Sequence, residues 1–168
     1  MMGLRLLLIA LIAAFVSMQN PTMTAAQGAS VAFGIISQDT SLPVEVSSDE
    51  LSVDQQTGTA IFSGNVVIGQ GEMRLSAQRV MVVYRDSTEG IARLEATGGV
   101  TLVSGADAAE AERADYSIDD GTIVMSGNVL LAQGASALSA DTMTIRLTDG
   151  TARMSGNVRT RLATGGRN

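Results

Sequence analysis

The chain has 168 residues, 45% of them hydrophobic but only 3% aromatic, with a formal net charge of −6 and no cysteine, histidine or lysine. Thiolate, imidazole and Schiff-base mechanisms therefore have no residues to work with, nor has a His/Cys metal cluster or a disulfide framework. An acidic chain without clustered basic residues is ill suited to nucleic acid, whose phosphates must be neutralised, and it offers few aromatic platforms for stacking.

Residues 1–26 begin with Arg5, continue with an uninterrupted apolar run of 11 residues (6–16, LLLIALIAAFV) and end on the small residues Thr24, Ala25 and Ala26. That order predicts a secretory signal peptide cleaved after Ala26, since the run falls short of the ~20 residues of a membrane span. An uncleaved anchor is the alternative. Residues 27–42 are expected to be a loose segment, although AFGIIS (32–37) has the composition to dock on a sheet edge. Residues 43–162 form the one expected domain, and 163–168 a tail.

Within the domain one unit recurs. SGNV occurs at 63–66, 126–129 and 155–158; aligning Gly64, Gly98, Gly127 and Gly156 gives steps of 34, 29 and 29 residues. Valine follows each glycine by two positions (Val66, Val100, Val129, Val158), and alanine stands thirteen residues after the first three (Ala77, Ala111, Ala140). Fixed spacing of this kind marks a repeated structural unit.

Inside each unit the apolar period is two, the signature of half-buried strands. Ala60, Phe62, Val66 and Ile68 match Ile123, Met125, Val129 and Leu131; Val80, Val82 and Tyr84 match Met143, Ile145 and Leu147, and also Ala114, Tyr116 and Ile118. Arg146, Arg153 and Arg159 fall on the opposite parity and mark the outer face. QQTG (55–58), DDG (119–121) and TDG (148–150) read as tight turns, and GQG (69–71) as a hairpin rather than a phosphate loop. At the Gly-Asn pairs the apolar parity continues from Phe62 to Val66, which predicts a bend or bulge within a strand. An ordinary β-sandwich with Gly-Asn hairpins is the alternative. The Ala-rich stretch 106–114 takes its place in the repeat as strand rather than helix. The prediction is an all-β fold: repeated antiparallel strands in a folded-over sheet or jelly roll with an apolar lining.

The signal sequence, the stretch PVEVSSDELSVDQQTGTAIFSGNVVIGQGEMRLSAQRVMVVY (43–84) and the later SGNV copies resemble the LptA/OstA-like family of periplasmic lipopolysaccharide-transport proteins, over residues 42–162. The resemblance implies a slightly open β-jelly roll holding the acyl chains of lipid A. It also implies edge-to-edge, head-to-tail joining, to LptC-like inner-membrane and LptD-like outer-membrane proteins or to further copies, in the periplasm. The cleavable signal favours a soluble bridge over a tethered one.

A lipid carrier needs continuous apolar lining and no catalytic group, because each buried CH₂ is worth about 0.8 kcal/mol. The inward parity supplies candidates: Phe62, Val66, Ile68, Leu75, Val80, Val82, Leu94, Val100, Leu102, Ile118, Ile123, Met125, Val129, Leu131, Met143, Ile145 and Leu147. The bland reading is that they fill one another's space as a core. Charge adds a second hint, acidic from 27 to 72 and basic after Asp149. Glu45 and Asp49 on one edge, and Arg159 and Arg161 on the other, are the candidate partner contacts, since unpaired edges invite strand addition and opposite charge orients it. No catalytic residue, metal ligand or cofactor is expected. A structural or adhesive β-repeat protein without a lipid ligand is the alternative function.

Overall fold

The computed structural model describes residues 29–32, 39–85 and 90–161. The expected signal peptide, AFGIIS beyond Ala32, most of the 85–90 turn and the 163–168 tail lie outside those residues. The described residues form one antiparallel sheet of eleven strands. In chain order these are β1 (Ala29–Ala32), β2 (Glu45–Ser47), β3 (Glu50–Asp54), β4 (Thr59–Gln70), β5 (Met73–Tyr84), β6 (Ile91–Ser104), β7 (Asp107–Ser117), β8 (Thr122–Gln133), β9 (Ser136–Arg146), β10 (Thr151–Ser155) and β11 (Arg159–Arg161). From β4 to β10 each strand pairs with the next, as tight Gly-containing turns dictate. β2 and β3 pair successive stretches of β4, and β10 and β11 successive stretches of β9, so each pair is one strand broken by a corner.

The repeated Gly-Asn pairs are those corners. Gly64–Asn65, Gly127–Asn128 and Gly156–Asn157 all have positive φ (76° and 46°, 83° and 49°, 75° and 46°), as do Gly98 and Gly99 (88° and 84°). Two residues face one on the neighbour: the β4–β5 register steps from Ser63↔Arg79 to Val66↔Ala77, and the β8–β9 register from Ser126↔Thr142 to Val129↔Ala140. Glycine tolerates the left-handed conformation and asparagine is the next best residue there. A polar pair fixes three of the corners. Asn65 Nδ2 donates to Asp49 Oδ2 (2.8 Å), Asn128 Nδ2 to Glu112 Oε1 (2.6 Å) and Asn157 Nδ2 to Asp141 Oδ2 (2.8 Å). A Cβ at Gly64 would stand 2.5 Å from that Asp49 oxygen, and one at Gly127 2.6 Å from a Glu112 oxygen, so space as well as φ requires glycine. Where Gly99 replaces asparagine, the residue packed against Gly98 is Gln78 instead of an acid. The strand-bend reading of Gly-Asn therefore holds, and the hairpin reading does not.

The corners lie in line across the sheet and crease it into two layers. One face of a lone sheet could not be buried unless something covered it, and here the sheet covers itself. Inward residues of both layers join a single core cluster. Ala77, Ala111 and Ala140 stand opposite Val66, Val100 and Val129 immediately after the crease, where a small side chain lets the layers approach. At about 1.5–3 kcal/mol per fully buried aliphatic side chain, this lining is the main stabilising term of the fold.

The loose N-terminal segment needs correction. Ala29–Ala32 is a strand, antiparallel to β10 with Ala29↔Met154 and Ala32↔Thr151. Residues 39–42 are held as well: Leu42 N donates to Asp39 O (3.3 Å), and Gln70 Nε2 donates to the carbonyls of Thr40 (3.1 Å) and Leu42 (2.9 Å). The physical cause is that β10 leaves an unpaired row of backbone groups, and that the buried Gln70 amide needs acceptors.

Candidate functional site

The interior is built from alternate residues of β4 to β10. Fifteen of the predicted lining residues are buried: Val66, Ile68, Leu75, Val80, Val82, Leu94, Val100, Leu102, Ile123, Met125, Val129, Leu131, Met143, Ile145 and Leu147, each 0–2% exposed. Phe62 and Ile118 are half-buried against them. Met73, Tyr116, Leu138 and Met154 join the same core. Exposures this low leave no water-sized void beside the central lining. Across the centre, aliphatic side chains of the two layers pack against one another as a single cluster.

The interior opens at one end. Leu51 stands opposite Phe62 and Val53 opposite Ala60, so both side chains lie on the inward face of the sheet. Yet Leu51 is 57% and Val53 60% exposed, because β3 is an edge strand and, among the described residues, no further strand pairs with it. Phe62 sits between these exposed side chains and the buried lining. At the opposite end β1 covers β10, and Ala152 and Met154 are buried there.

Two glutamines close the seam where the free ends of the layers meet. Tyr116 Oη, on β7, donates to Gln70 Oε1 at the end of β4 (2.6 Å), and both side chains are 2% exposed. Burial pushes the Tyr116 phenol above its ordinary pKa, with the Gln70 hydrogen bond opposing the shift. At the equivalent place in the later repeat, Gln133 Nε2 donates to Ala32 O (2.7 Å) and to Asp107 Oδ2 (2.9 Å). The sequence reading missed both glutamines, although the two-residue period from Val66 and Val129 already points Gln70 and Gln133 inward.

The four predicted edge residues separate into two kinds. Glu45 on β2, and Arg159 and Arg161 on β11, are exposed strand residues whose outer strand edge pairs with nothing among the described residues. Glu45 is opposite Gly69, and Arg159 and Arg161 are opposite Ser139 and Ala137, all on the outer face. Asp49 differs. Its carboxylate accepts from Asn65 and its amide donates to Gly64 O (3.0 Å), so it serves its own corner rather than a free edge. Glu50, on the outer parity opposite Ser63, and Arg153, opposite Thr144, extend the acidic and basic rows instead. Among the described residues no group of His, Cys, Asp and Glu is placed to hold a metal ion.

Comparison with known proteins matches residues 45–151 to the family model "LptA/(LptD N-terminal domain) LPS transport protein". The chain belongs to this family. The family is described as one of LPS transport proteins. Lipopolysaccharide export system protein LptA of Escherichia coli K12 is 32% identical over 62 residues, 37% of this chain and 34% of that protein. An uncharacterised protein of Rhizobium meliloti is 34% identical over 90 residues, 49% of this chain and 48% of that protein. The chain thus spans about half or less of the length of these curated relatives. The crystal structure of LptH, described as the LptA-homologous periplasmic component of the lipopolysaccharide transport device of Pseudomonas aeruginosa, superposes with a TM-score of 0.65. The match covers 74% of this chain and 98% of that one at 14% identity, and it establishes the shared β-jelly roll fold.

Proposed function

We propose that the protein is a periplasmic carrier and bridge for lipopolysaccharide, taking the acyl chains of lipid A onto the apolar inner face of its folded sheet. It is exported by the predicted signal peptide and joined by its sheet edges to LptC-like and LptD-like proteins or to further copies. The observation that carries this reading is the apolar opening at the β3 end. Leu51 and Val53 present inward-facing aliphatic side chains to solvent, and Phe62 links them to the buried lining. An acyl chain laid there covers exposed apolar surface, at about 25 cal/mol per Å², and penetrates further only as the layers part. Outer-face acids at one edge (Glu45, Glu50) and arginines at the other (Arg153, Arg159, Arg161) support head-to-tail joining with a defined order.

The filled centre of the interior favours a second reading, a structural β-repeat protein without lipid, and one experiment separates the two. A photo-crosslinking amino acid at Leu51 or Phe62, in cells making lipopolysaccharide, is expected to give lipopolysaccharide adducts, while the same probe at the outward Ser52 gives none. Adducts at Met125 as well would show that the layers part along their length. No adduct at any inward position would overturn the carrier reading and leave the structural one.

A further inference from the structure

We propose that β1 is a placeholder strand: it occupies in cis the site on β10 that β3 of a second copy takes in head-to-tail assembly. The inference rests on the bridging reading above and goes beyond it by assigning a device that controls it.

Three observations lead here. The first is register. Bulged strands (β4, β6, β8, β10–β11) alternate with unbulged ones (β2–β3, β5, β7, β9), so, leaving β1 aside, the ladder has an unbulged strand at its β2–β3 edge and a bulged one at its β10–β11 edge. The next strand outward from β10–β11 in an unbroken ladder is therefore of the β2–β3 kind, and antiparallel, as β2–β3 of a second copy would be. In the β8–β9 register, Ser126 faces Thr142 and Val129 faces Ala140. Carried one strand further, Ser155 faces Glu50 of a second copy and Val158 its Ser48. Arg161 then lies opposite Glu45, Arg153 opposite Ser52, and Met154 and Ala152 opposite Leu51 and Val53. That pairing covers the two most exposed inward side chains of the N-terminal edge and sets an opposite charge across the outer face.

The second observation is that this place is half taken. Ala29, Ser30, Val31 and Ala32 face Met154, Arg153, Ala152 and Thr151, the same four positions that Leu51, Ser52, Val53 and Asp54 of a second copy would face, in the same direction. Among the described residues, no strand pairs with the outer edge of β11. The third is sequence. Ala-Ser-Val-Ala at 29–32 is a reduced version of Leu-Ser-Val-Asp at 51–54, with serine outward and valine inward in both. β1 lacks the leucine and the terminal acid, so it covers β10 with less apolar area and no charge toward Arg153.

The geometry therefore describes strand exchange from a toehold. The uncovered β11 receives β2 of the incoming copy, bringing Glu45 to Arg161. β3 then replaces β1 residue by residue, and the Gln133 bond to Ala32 O is released. Tethering gives β1 a high effective concentration, which keeps dilute protein from polymerising, whereas the fuller β3 strand prevails once copies are concentrated.

Cysteine pairs test this on the purified protein, because Arg153 faces Ser30 in the capped state and Ser52 of a second copy in the exchanged one. With Ser52→Cys and Arg153→Cys in one chain, inter-chain disulfide is expected to rise several-fold when β1 is disabled by Ser30→Pro with Val31→Asp. Ser30→Cys with Arg153→Cys should form an intra-chain disulfide that abolishes self-association in analytical ultracentrifugation. Equal inter-chain yield with β1 intact and disabled would overturn the placeholder role. So would cross-linking confined to Glu45→Cys with Arg161→Cys, which would leave head-to-tail joining standing without exchange at β10. No inter-chain product from any pair, with β1 intact or disabled, would remove head-to-tail joining between copies, and this inference with it.

Discussion

Met154 and Leu51 both point to the inner face at opposite ends of the same folded sheet, yet the first is 0% exposed and the second 57%. Residue type does not explain the difference, since both are large and apolar. Met154 has strand β9 on one side and β1 on the other, whereas Leu51 has β4 on one side and, among the described residues, no strand on the other. In a sheet that is its own cover, the burial of an inward side chain depends on whether a next strand exists. The β3 end is thus unfinished, and the β10 end finished by a short strand borrowed from the chain's own beginning.

That contrast can be tested by substitution, starting at the centre. Met125→Ala removes a fully buried side chain from between two filled layers and is expected to cost about 2–5 kcal/mol in urea unfolding. A cost below about 1 kcal/mol would mean the centre is loosely packed and already cavity-like. Gly127→Val forces a β-branched residue to a φ of 83° against Glu112 and should cost about 2–3 kcal/mol. At Gly99, where φ is 84° but a Cβ meets nothing, alanine should cost only about 1 kcal/mol from backbone strain.

Tyr116→Phe leaves the buried Gln70 oxygen without its donor and is expected to cost about 1–2 kcal/mol. The tyrosine also makes stability pH-dependent in a defined sense. Its folded pKa lies above the ordinary value of 10.0, so its contribution is complete below pH 10 and declines as pH rises toward the folded pKa. The decline should be absent from Tyr116→Phe; an unchanged alkaline profile would show that another group governs it. The smallest effect belongs to the unfinished end. Leu51→Ala should alter the stability of the monomer by less than about 0.5 kcal/mol, while clearly reducing adducts of lipopolysaccharide with a probe at Phe62. A stability loss as large as that of Met125→Ala would mean that Leu51 is core and the opening is not a site.

Much of this was legible beforehand because β-structure writes itself in a period of two and because corners demand particular residues. Ile123, Met125, Val129 and Leu131 were readable as one inward row, and the Gly-Asn pairs as bends, from their unbroken parity alone. The role of Asp49 was not. A carboxylate near an edge and a carboxylate bonded to the corner asparagine look alike until the register places Asp49 beside Gly64. Nor was the seam: Gln70 and Tyr116 are 46 residues apart, and no local pattern says which hydroxyl will meet which amide.

The sequence by itself determined the strands, their inner and outer faces, the line of the crease and the acidic and basic ends, since each follows from local backbone preference and alternation. Only the tertiary structure decided that the centre is filled, that β1 crosses to the far edge to pair with β10, and that the inward row surfaces at Leu51 and Val53. These depend on how two layers close over each other and on which edge groups remain unpaired. They are properties of the assembled sheet, not of any one stretch of chain.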